Sequence, residues 1–467
     1  METAQSAPAP LTDPRTGAPL ARPPLLPLTA VEPVARTAAA AFPGWARTPM
    51  PERCARVLDL AGHWEREFGD LAPAFSREHG KTEAEAAAEL ARAVEMLRWS
   101  ATAAPELTRA SPLTDRAGAE REVRVEPAGP VLAIVPWNFP AVVLARKLGP
   151  ALVLGCSVVV KAPDETPGVA SALERAVTAA GLPPGTVQIV HASPSVSNAL
   201  VRRPEFATVS FTGSTRAGRE VAAAAATQLT PCVLELGGHA PAIVTADADL
   251  DAAVAALAPA KFGSTGQSCA APSRFLVDRR VHDAFVEKLI RCAPLCDNLR
   301  TPSGARGTMG PLNNARQRDR VHALVVEAVR RGARLRLGGV VPDGPGHYYP
   351  ATVITDLPRD ARVLEEEPFG PIAPVLAYDD EDTAIAWANS TDYALSAYVF
   401  GDPLRTEHLC RSLEAGSVSL NCAAGAAPDA PLGGRAASGY GYEGGQQGLL
   451  AFGRLKIRQQ QVARTPS

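Results

Sequence analysis

Short apolar runs that alternate with helical segments are the first regular pattern along the chain. The runs cover residues 131–135, 157–161, 187–190 and 208–212. An uninterrupted apolar run of this length is typical of a strand that is buried on both faces. Because helical segments at 141–154, at 170–180 and up to residue 227 separate or follow these runs, the pattern predicts βαβ units and a parallel sheet.

The same alternation restarts after residue 235. The sequence predicts strands at 241–244 and 274–278, and helices at 249–262 and 281–292. A second α/β domain is the natural interpretation. The chain has 467 residues, which is too long for one hydrophobic core and therefore also favours two or three domains.

The N-terminal part has a different pattern. The first 30 residues are rich in Pro, Ala and Thr and predict an extended segment. Helical periodicity follows at 35–45, 51–68 and 83–100. Residues 120–127 alternate charged residues with valines, which predicts an exposed strand or arm.

The composition excludes several classes of protein and partner. Hydrophobic residues make up 46% of the chain and charged residues 21%, and the net charge is −2 at pH 7. This apolar content is too high for a disordered chain, and no basic excess is present to neutralise nucleic-acid phosphates. No run of about 18 apolar residues predicts a membrane span. We therefore expect neither nucleic acid nor a membrane as a partner.

The cysteines and the N-terminus bear on the compartment. The eight cysteines include no C-x-x-C pair, so we expect no zinc or other metal site and no thioredoxin-like site. The N-terminus has neither the basic start nor the apolar stretch of a secretory signal. Both observations favour a cytoplasmic protein in a reducing environment.

Four short segments contain residue types that could carry chemistry. They are Pro-Trp-Asn-Phe-Pro at 136–140, Phe-Thr-Gly-Ser at 211–214, Glu-Leu-Gly-Gly at 235–238 and Gly-Gln-Ser-Cys at 266–269. Taken singly, each has an ordinary structural explanation. A Gly-rich segment after a strand is commonly a simple turn, and a cysteine is commonly a buried structural thiol.

Taken together, the order and spacing of these segments resemble the aldehyde dehydrogenase superfamily over about residues 10–460. Three further positions extend the match: Lys161, Glu367 and Phe369. The segments at 235–241 and 438–445 are most similar to those of semialdehyde dehydrogenases. The resemblance implies oxidation of an aldehyde, in particular a semialdehyde, to the carboxylic acid with NAD(P).

The resemblance assigns three catalytic residues. Cys269 would be the nucleophile, because a thiolate forms an adduct that can expel hydride and leave a thioester. The side-chain amide of Asn138 and the backbone N–H of Cys269 would stabilise the oxyanion. Glu235 would activate the water that cleaves the thioester. The alternative for Glu235 is a structural carboxylate that accepts hydrogen bonds from the backbone amides of the Gly-Gly turn.

The resemblance also implies a nicotinamide cofactor. The positions expected around it are Pro136, Trp137, Lys161, Asp164, Gly213, Ser214, Gly218, Leu236, Gly237, Glu367 and Phe369. Lys161 would hold the adenosine ribose, and the helix that begins after Ser214 would bind the pyrophosphate. Glu367 would bind the nicotinamide ribose, with Phe369 packed beside the ring.

The choice between NAD and NADP depends on Asp164. Its carboxylate would accept a hydrogen bond from a ribose 2′-hydroxyl and would repel a 2′-phosphate, so we expect NAD, with NADP as the alternative. One stretch departs from the family pattern. Ala192, Ser193, Pro194 and Ser197 stand where glycines are usual near the adenine and phosphates, so the cofactor geometry there is expected to differ.

The substrate side of the site is expected at Phe139, Arg146 and Leu432. Arg146 matches an arginine that binds the substrate carboxylate in succinic semialdehyde dehydrogenases, and the alternative is a surface or helix-packing arginine. Those enzymes have a second arginine six residues before the nucleophile, where this chain has Gly263. Leu432 replaces a phenylalanine, and residues 423–427 are all small. A wider pocket follows, open to a longer or bulkier semialdehyde or to an uncharged aldehyde.

Two other functions are compatible with the resemblance. A coenzyme A-acylating dehydrogenase passes the thioester to a thiol, but such relatives generally lack the carboxylate that Glu235 provides. A non-catalytic scaffold protein would be free to lose Cys269, Asn138 or Glu235, and all three are present.

The resemblance predicts an α/β fold with three parts. Residues 1–106 and 126–235 would form a Rossmann-type dinucleotide-binding domain, and residues 236–437 an α/β catalytic domain. Residues 107–125 and 450–463 would form a β-stranded oligomerisation arm. Because an exposed strand leaves an unpaired edge that a partner subunit can cover, we expect a homodimer or a homotetramer.

Overall fold

The structure is a computed structural model that describes residues 11–114, 119–296, 308–423, 425 and 427–461. Three predictions fall partly outside these residues. They concern the first ten residues of the extended segment, residues 115–118 and 462–463 of the predicted arm, and Ala424 and Ala426 of the small-residue loop.

The described residues form fifteen α-helices. These are α1 (Val31–Arg47), α2 (Met50–Arg66), α3 (Phe68–His79), α4 (Glu83–Leu107), α5 (Pro140–Leu154), α6 (Pro167–Ala179), α7 (Pro194–Val201), α8 (Thr215–Ala226), α9 (Leu250–Phe262), α10 (His282–Cys292), α11 (Ala315–Arg330), α12 (Arg362–Glu365), α13 (Glu381–Ala388), α14 (Pro403–Ser412) and α15 (Gly445–Leu450). Short 3₁₀ turns lie at Leu28–Ala30 and Gly263–Gly266.

The described strands form two large sheets and several small ones. The strands are β1 (Ser111–Thr114), β2 (Ala119–Pro127), β3 (Val131–Ile134), β4 (Val158–Lys161), β5 (Val187–Val190), β6 (Thr208–Thr212), β7 (Cys232–Glu235), β8 (Ala240–Val244), β9 (Pro272–Asp278), β10 (Leu295–Cys296), β11 (Thr308–Met309), β12 (Arg334–Leu337), β13 (Thr352–Thr355), β14 (Ile372–Tyr378), β15 (Tyr393–Ala394), β16 (Ser396–Phe400), β17 (Ser417–Leu420), β18 (Arg435–Ala436), β19 (Gly439–Tyr440) and β20 (Gly453–Gln461).

The first large sheet has the strand order β19-β7-β6-β3-β4-β5. Its strands are parallel except β19, which pairs antiparallel with β7. The predicted apolar runs form β3, β4, β5 and β6, so the prediction of a parallel sheet is confirmed. The strand β3 is buried at every position. Because helices cover both faces of such a sheet, its strands need continuous runs of hydrophobic residues.

The second large sheet has the order β12-β13-β14-β9-β8-β16-β17, and only β12 is antiparallel to its neighbour. The predicted strands and helices between residues 241 and 292 are present, so the prediction of a second α/β unit is confirmed. Its two central strands, β8 and β9, are entirely buried. The predicted domain boundaries themselves remain predictions.

A third sheet has the order β1-β2-β20 and is antiparallel. It contains most of the described residues predicted for the arm, except Leu107 in α4, Leu450 in α15 and the residues that link these helices to the strands, and it extends to Pro127 on one strand. Leu455 and Ile457 on β20 are exposed. As the outer strand of this sheet, β20 has one edge without a partner strand among the described residues.

Seven helices were not predicted: α3, α7 and the five from α11 to α15. The first two have a local explanation. Within the helical pattern at 51–68, α2 ends at Arg66, and α3 then begins as a separate helix with Pro73 inside it. The helix α7 begins in the stretch that departs from the family's glycines. The Ser193 hydroxyl accepts a hydrogen bond from the Val196 N–H at 3.3 Å, and Pro194 occupies the first turn.

The crossing from the first large sheet to the second places the candidate residues. The strand β7 ends at Glu235, and the chain reaches β8 five residues later. Gly238 lies so close to Cys269 that a side chain would collide with the Cys269 backbone oxygen. Glycine at this position therefore brings the end of the first sheet against the cysteine of the second.

Candidate active site

Cys269 lies in a turn between the 3₁₀ segment and β9. Ser264 and Thr265 have φ values of 49° and 58°, which is the left-handed region. The Ser264 N–H donates a 2.7 Å hydrogen bond to the Glu85 carboxylate on α4. This unusual turn is thus anchored to the first unit and presents a half-buried thiol.

The surroundings of Cys269 favour the protonated thiol. Burial, followed by the negative charges of Glu367 and Glu235, raises the pKa of Cys269 to about 12. A thiolate is the reactive form of a cysteine. The site therefore needs a group that removes the proton, or a change in these charges when ligands bind.

Asn138 lies in the turn between β3 and α5 and is 8% exposed. Its side-chain amide donates a 3.0 Å hydrogen bond to the Gln267 carbonyl, two residues before Cys269. Its own backbone carbonyl accepts a 3.2 Å hydrogen bond from Lys81. Since the amide nitrogen carries two hydrogens, one remains for an oxyanion beside the cysteine.

Glu235 is buried at the end of β7, and neither carboxylate oxygen has a hydrogen-bond partner among the described residues. The alternative of a carboxylate held by the Gly-Gly turn is wrong, because the Gly238 N–H donates at 3.0 Å to Glu367. Burial and the charge of Glu443 raise the pKa of Glu235 well above its ordinary value, against the opposing charges of Lys147 and Arg146. An uncommitted buried carboxyl of this kind is suited to proton transfer.

Two residues beside Glu235 were missed at the sequence level. Lys147 and Glu443 form a buried ion pair, and Lys147 also donates 2.8 Å hydrogen bonds to the hydroxyls of Ser210 and Thr212. The only signal in the sequence is a lysine that follows Arg146 inside the otherwise apolar helix α5. Glu443 lies within the segment at 438–445, but the resemblance of that segment implies no role for it.

The carboxyl ends of β3, β4, β6 and β7 lie at one edge of the first sheet. In the register of the sheet, Ile134 pairs with Lys161 and Thr212 pairs with Glu235. This edge of an α/β sheet is where ligands commonly bind. The residues expected around the cofactor are therefore distributed along one edge.

Asp164, three residues beyond β4, is surrounded by basic side chains. Its carboxylate lies 3.4 Å from Arg22, 3.6 Å from His191 and 3.9 Å from Lys161. Burial alone would raise the pKa of Asp164, but His191, Lys161 and Arg22 together lower it. The ionised carboxylate and its three basic neighbours form a polar cluster at the end of the strand.

The turn after β6 has the shape of a dinucleotide-binding turn. A side chain at Gly213 would lie 2.6 Å from the Phe211 ring, and one at Gly218 would collide with Leu236. Ser214 caps α8 by accepting a hydrogen bond from the Ala217 N–H at 3.3 Å. These small residues leave the helix N-terminus open to a pyrophosphate, so the residues present fit the cofactor.

Glu367 lies against the Gly-Gly turn that follows β7. A side chain at Gly237 would lie 2.8 Å from Glu367. Burial raises the pKa of Glu367 to about 7, against the Gly238 N–H and the charges of Arg320 and Lys261.

Trp137, which directly follows Pro136, packs edge-on against Phe369 with ring centroids 5.8 Å apart. Phe369 has a φ of 47°. The two perpendicular rings place apolar side chains next to Asn138.

The structure places the predicted substrate residues at different depths. Phe139 is half-buried at the start of α5, and the Lys81 ammonium lies 4.6 Å above its ring. Arg146 is 5% exposed. Burial lowers the pKa of Arg146, and the charges of Glu443 and Glu235 raise it. Leu432 is half-buried, and its backbone pairs with that of Glu443. Arg146 is therefore near the catalytic cluster and is not a surface residue.

The fold and the site define a nicotinamide-dependent oxidoreductase with a cysteine beside its cofactor cleft. The family model described as "Aldehyde dehydrogenase family" matches residues 1–457, and the chain belongs to this family. It is therefore an NAD(P)-dependent enzyme that oxidises aldehydes.

Three similar proteins illustrate the range of the family. A 4-(hydroxymethyl)benzenesulfonate dehydrogenase of Comamonas testosteroni is 39% identical over 444 residues, which cover 94% of this chain and 92% of that protein. The NADP⁺ succinate-semialdehyde dehydrogenase of Escherichia coli K12 is 35% identical and covers 89% and 86%. The crystal structure of succinate-semialdehyde dehydrogenase from Burkholderia pseudomallei has a TM-score of 0.92, 34% identity and coverage of 97% and 94%.

Two features are absent from the described residues: a membrane-spanning helix and a metal-binding group of side chains. None of the described helices has the length and apolarity to cross a bilayer. Within the same residues, no group of three or more His, Cys, Asp or Glu side chains is placed to hold a metal ion.

Proposed function

We propose that this enzyme oxidises aldehydes that carry an anionic group, semialdehydes among them, to the carboxylic acid, with Cys269 as nucleophile and Glu235 as general base. The observation that carries the proposal is the position of Arg146. Its charge acts on both Glu235 and Cys269, so a buried cation lies within the electrostatic range of the reacting groups. Such a cation can pair with the distal anion of a substrate whose carbonyl is at Cys269.

The chemistry follows from the residues. The Cys269 thiol releases its proton to solvent, and the sulfur attacks the aldehyde carbon to form a tetrahedral thiohemiacetal anion. Asn138 and the Cys269 N–H donate hydrogen bonds to the resulting oxyanion. Lys161, Ser214 and Glu367 would hold NAD(P), which would supply the hydride acceptor for this carbon. Glu235 then takes a proton from water, whose oxygen attacks the thioester and releases the acid and the Cys269 thiol.

The names of two relatives support an anionic substrate. One contains a benzenesulfonate and the other a succinate semialdehyde, so each name includes a group that is negatively charged at neutral pH. A longer or aromatic substrate is compatible with Leu432 in place of a phenylalanine and with the small residues of the 423–427 loop.

Replacing Arg146 with Ala tests the proposed function. The KM for succinic semialdehyde should rise at least about tenfold, or about 1.4 kcal/mol, because the carboxylate loses its cation. The KM for butanal, which has the same length and no charge, should remain nearly unchanged. NADH absorbance gives both values. Equal losses on the two aldehydes would make Arg146 a packing residue.

Coenzyme A should be added in a parallel series with the wild-type enzyme. Under the proposed function the acid forms at the same rate with and without it. A requirement for coenzyme A, with an acyl thioester as product, would instead favour the acylating alternative. The unpaired Glu235 carboxyl supports hydrolysis by water.

We propose NAD as the preferred cofactor, with Asp164 as the discriminating residue. Replacing Asp164 with Ser would remove one negative charge and leave Arg22, His191 and Lys161 for a 2′-phosphate. The ratio of kcat/KM for NADP to that for NAD should therefore rise at least about tenfold.

Asp164→Glu is the matched control, since it keeps the charge and should keep the preference for NAD. If the wild-type enzyme prefers NADP, the three basic side chains attract the 2′-phosphate more strongly than Asp164 repels it. That outcome would contradict the proposed cofactor.

We also propose a homodimer or homotetramer in which β20 supplies a contact edge. Leu455 is 73% exposed and Ile457 is 58% exposed on this edge strand, and a second copy would cover both. The reducing cytoplasm remains our proposed location. All eight cysteines are free thiols, which suits that compartment.

A further inference from the structure

One face of α4 is directed toward the candidate site. Glu85 accepts a 2.7 Å hydrogen bond from the Ser264 N–H, in the turn before the nucleophile. Glu89 accepts a 2.9 Å hydrogen bond from the Ala141 N–H, at the start of α5. Residues three and four positions apart share a helix face. Arg92 is three residues beyond Glu89 and therefore lies on the same face.

Arg92 and Arg146 each lie beside a glycine. A methyl group at Gly425 would lie 2.8 Å from an Arg92 guanidinium nitrogen. A methyl group at Gly444 would lie 2.7 Å from an Arg146 guanidinium nitrogen and 2.7 Å from the Ala430 carbonyl. Gly425 and Ala430 are five residues apart in the chain, so the two guanidinium groups lie in the same region of the molecule.

A hydrogen bond links the neighbour of Gly444 to the residues near Gly425. The Gly445 N–H donates this 2.9 Å hydrogen bond to the Pro428 carbonyl. The absence of side chains at Gly425 and Gly444 is what lets the two arginines approach these residues. A larger residue at either position would displace a guanidinium group.

The two arginines differ in exposure. Arg146 is 5% exposed, whereas Arg92 is exposed. Among the described residues, no carboxylate forms an ion pair with Arg92. Its positive charge nevertheless reaches Arg146: after burial, which is the larger effect, Arg92 lowers the pKa of Arg146. Two like charges in the same region favour an anion between or beside them.

Gly263 shows how far Arg92 lies from the turn that contains the nucleophile. A methyl group there would lie 3.9 Å from the Glu85 carboxylate, so position 263 faces the same side of α4. Arg92 is seven residues beyond Glu85, about 10 Å farther along the helix axis. A cation supplied by α4 is therefore farther from the nucleophile turn than one at position 263 would be.

We propose that Arg92 is a specificity-determining residue that, together with Arg146, binds the distal anion of a long or aromatic aldehyde. This inference rests on the proposed function and specifies its substrate class. Arg146 provides the inner cation and Arg92 the outer one, so the preferred substrate has a rigid or extended spacer between its carbonyl and its anion. A para-substituted aromatic aldehyde with a carboxylate has this chemistry.

The test compares 4-carboxybenzaldehyde with benzaldehyde, which has the same ring and no charge. In Arg92→Met, kcat/KM for 4-carboxybenzaldehyde should fall at least about fivefold, while kcat/KM for benzaldehyde should change less than about twofold. Arg92→Lys keeps the charge and should retain most of the preference. The wild-type preference for the carboxylate should also shrink at high ionic strength, because an exposed cation is screened by salt.

Arg98→Ala is the matched control variant. Arg98 is also exposed on α4 but is paired with Glu65 at 2.5 Å, and its loss should not change the ratio of the two substrates. If Arg92→Met lowers both substrates equally, or neither, this inference is wrong. If Arg146→Ala abolishes the preference and Arg92→Met leaves it intact, only this inference fails. If the wild-type enzyme oxidises both aldehydes equally well, the proposed anionic substrate class fails as well.

Discussion

Replacement of Cys269 with Ala should abolish aldehyde oxidation, with a loss of at least about 10⁴-fold in kcat. The alanine cannot form the covalent adduct from which hydride leaves, and no other described thiol occupies the turn between the 3₁₀ segment and β9. Cofactor binding should persist, because Lys161, Ser214 and Glu367 are unchanged. Steady-state NADH absorbance measures the activity, and titration calorimetry with NAD measures the binding.

Cys292→Ala is the control for this experiment. Cys292 is an exposed thiol at the end of α10, and its replacement should leave kcat unaffected. A Cys269→Ala enzyme that still turned over at even one tenth of the wild-type rate would exclude a covalent mechanism at this residue.

Glu235→Gln should form NADH in a single burst of about one equivalent per active site and then stall. The amide is nearly isosteric with the carboxyl but cannot take a proton from water, so the acyl group remains on Cys269. Steady-state turnover should fall about 10²- to 10⁴-fold, the usual contribution of a general base. Stopped-flow absorbance detects the burst, and intact-protein mass spectrometry detects the bound acyl group.

The wild-type enzyme should also show a pH dependence that the variant lacks. Because burial and the charge of Glu443 raise the pKa of Glu235, hydrolysis should quicken as the pH rises through that raised pKa, at a higher pH than for an ordinary carboxyl. Wild-type turnover by Glu235→Gln, with the same pH profile, would place the base elsewhere. Glu443 would then be the next residue to replace, since it is a buried carboxyl whose charge acts on Glu235.

The sequence predicts the central strands well and the site only through resemblance. Residues 131–135 and 208–212 are recognisable because strands buried on both faces need continuous apolar side chains. Nothing local reveals that β19 joins the first large sheet, because a two-residue strand has no periodicity. The helix α3 is separate because of a local break at Glu67, and α7 begins because Ser193 caps it. Neither feature is evident from hydrophobic periodicity.

The site residues that were missed have tertiary rather than local causes. Lys147 and Glu443 meet across 296 residues of chain, and their pairing leaves no mark in either segment. Arg92 is indistinguishable in sequence from Arg98, the other arginine of α4, and only its position beside Gly425 separates the two. The sequence also contains no signal for the hydrogen bond from the Gly238 N–H to Glu367. For this reason the Gly-Gly turn was a plausible hydrogen-bond partner for Glu235.

The antiparallel strand β19 has a consequence for folding during synthesis. The second large sheet has all its strands once β17 has been made, whereas the first, begun at β3, lacks its outermost strand until β19 emerges. The Ser438 hydroxyl then closes a contact with the Gly237 carbonyl, 201 residues earlier. Until that point the edge of β7 is open to pairing with other chains. Of the two large sheets, the one that begins first is therefore completed second, and the β7 edge needs protection for most of the time that the ribosome spends on the second half of the chain.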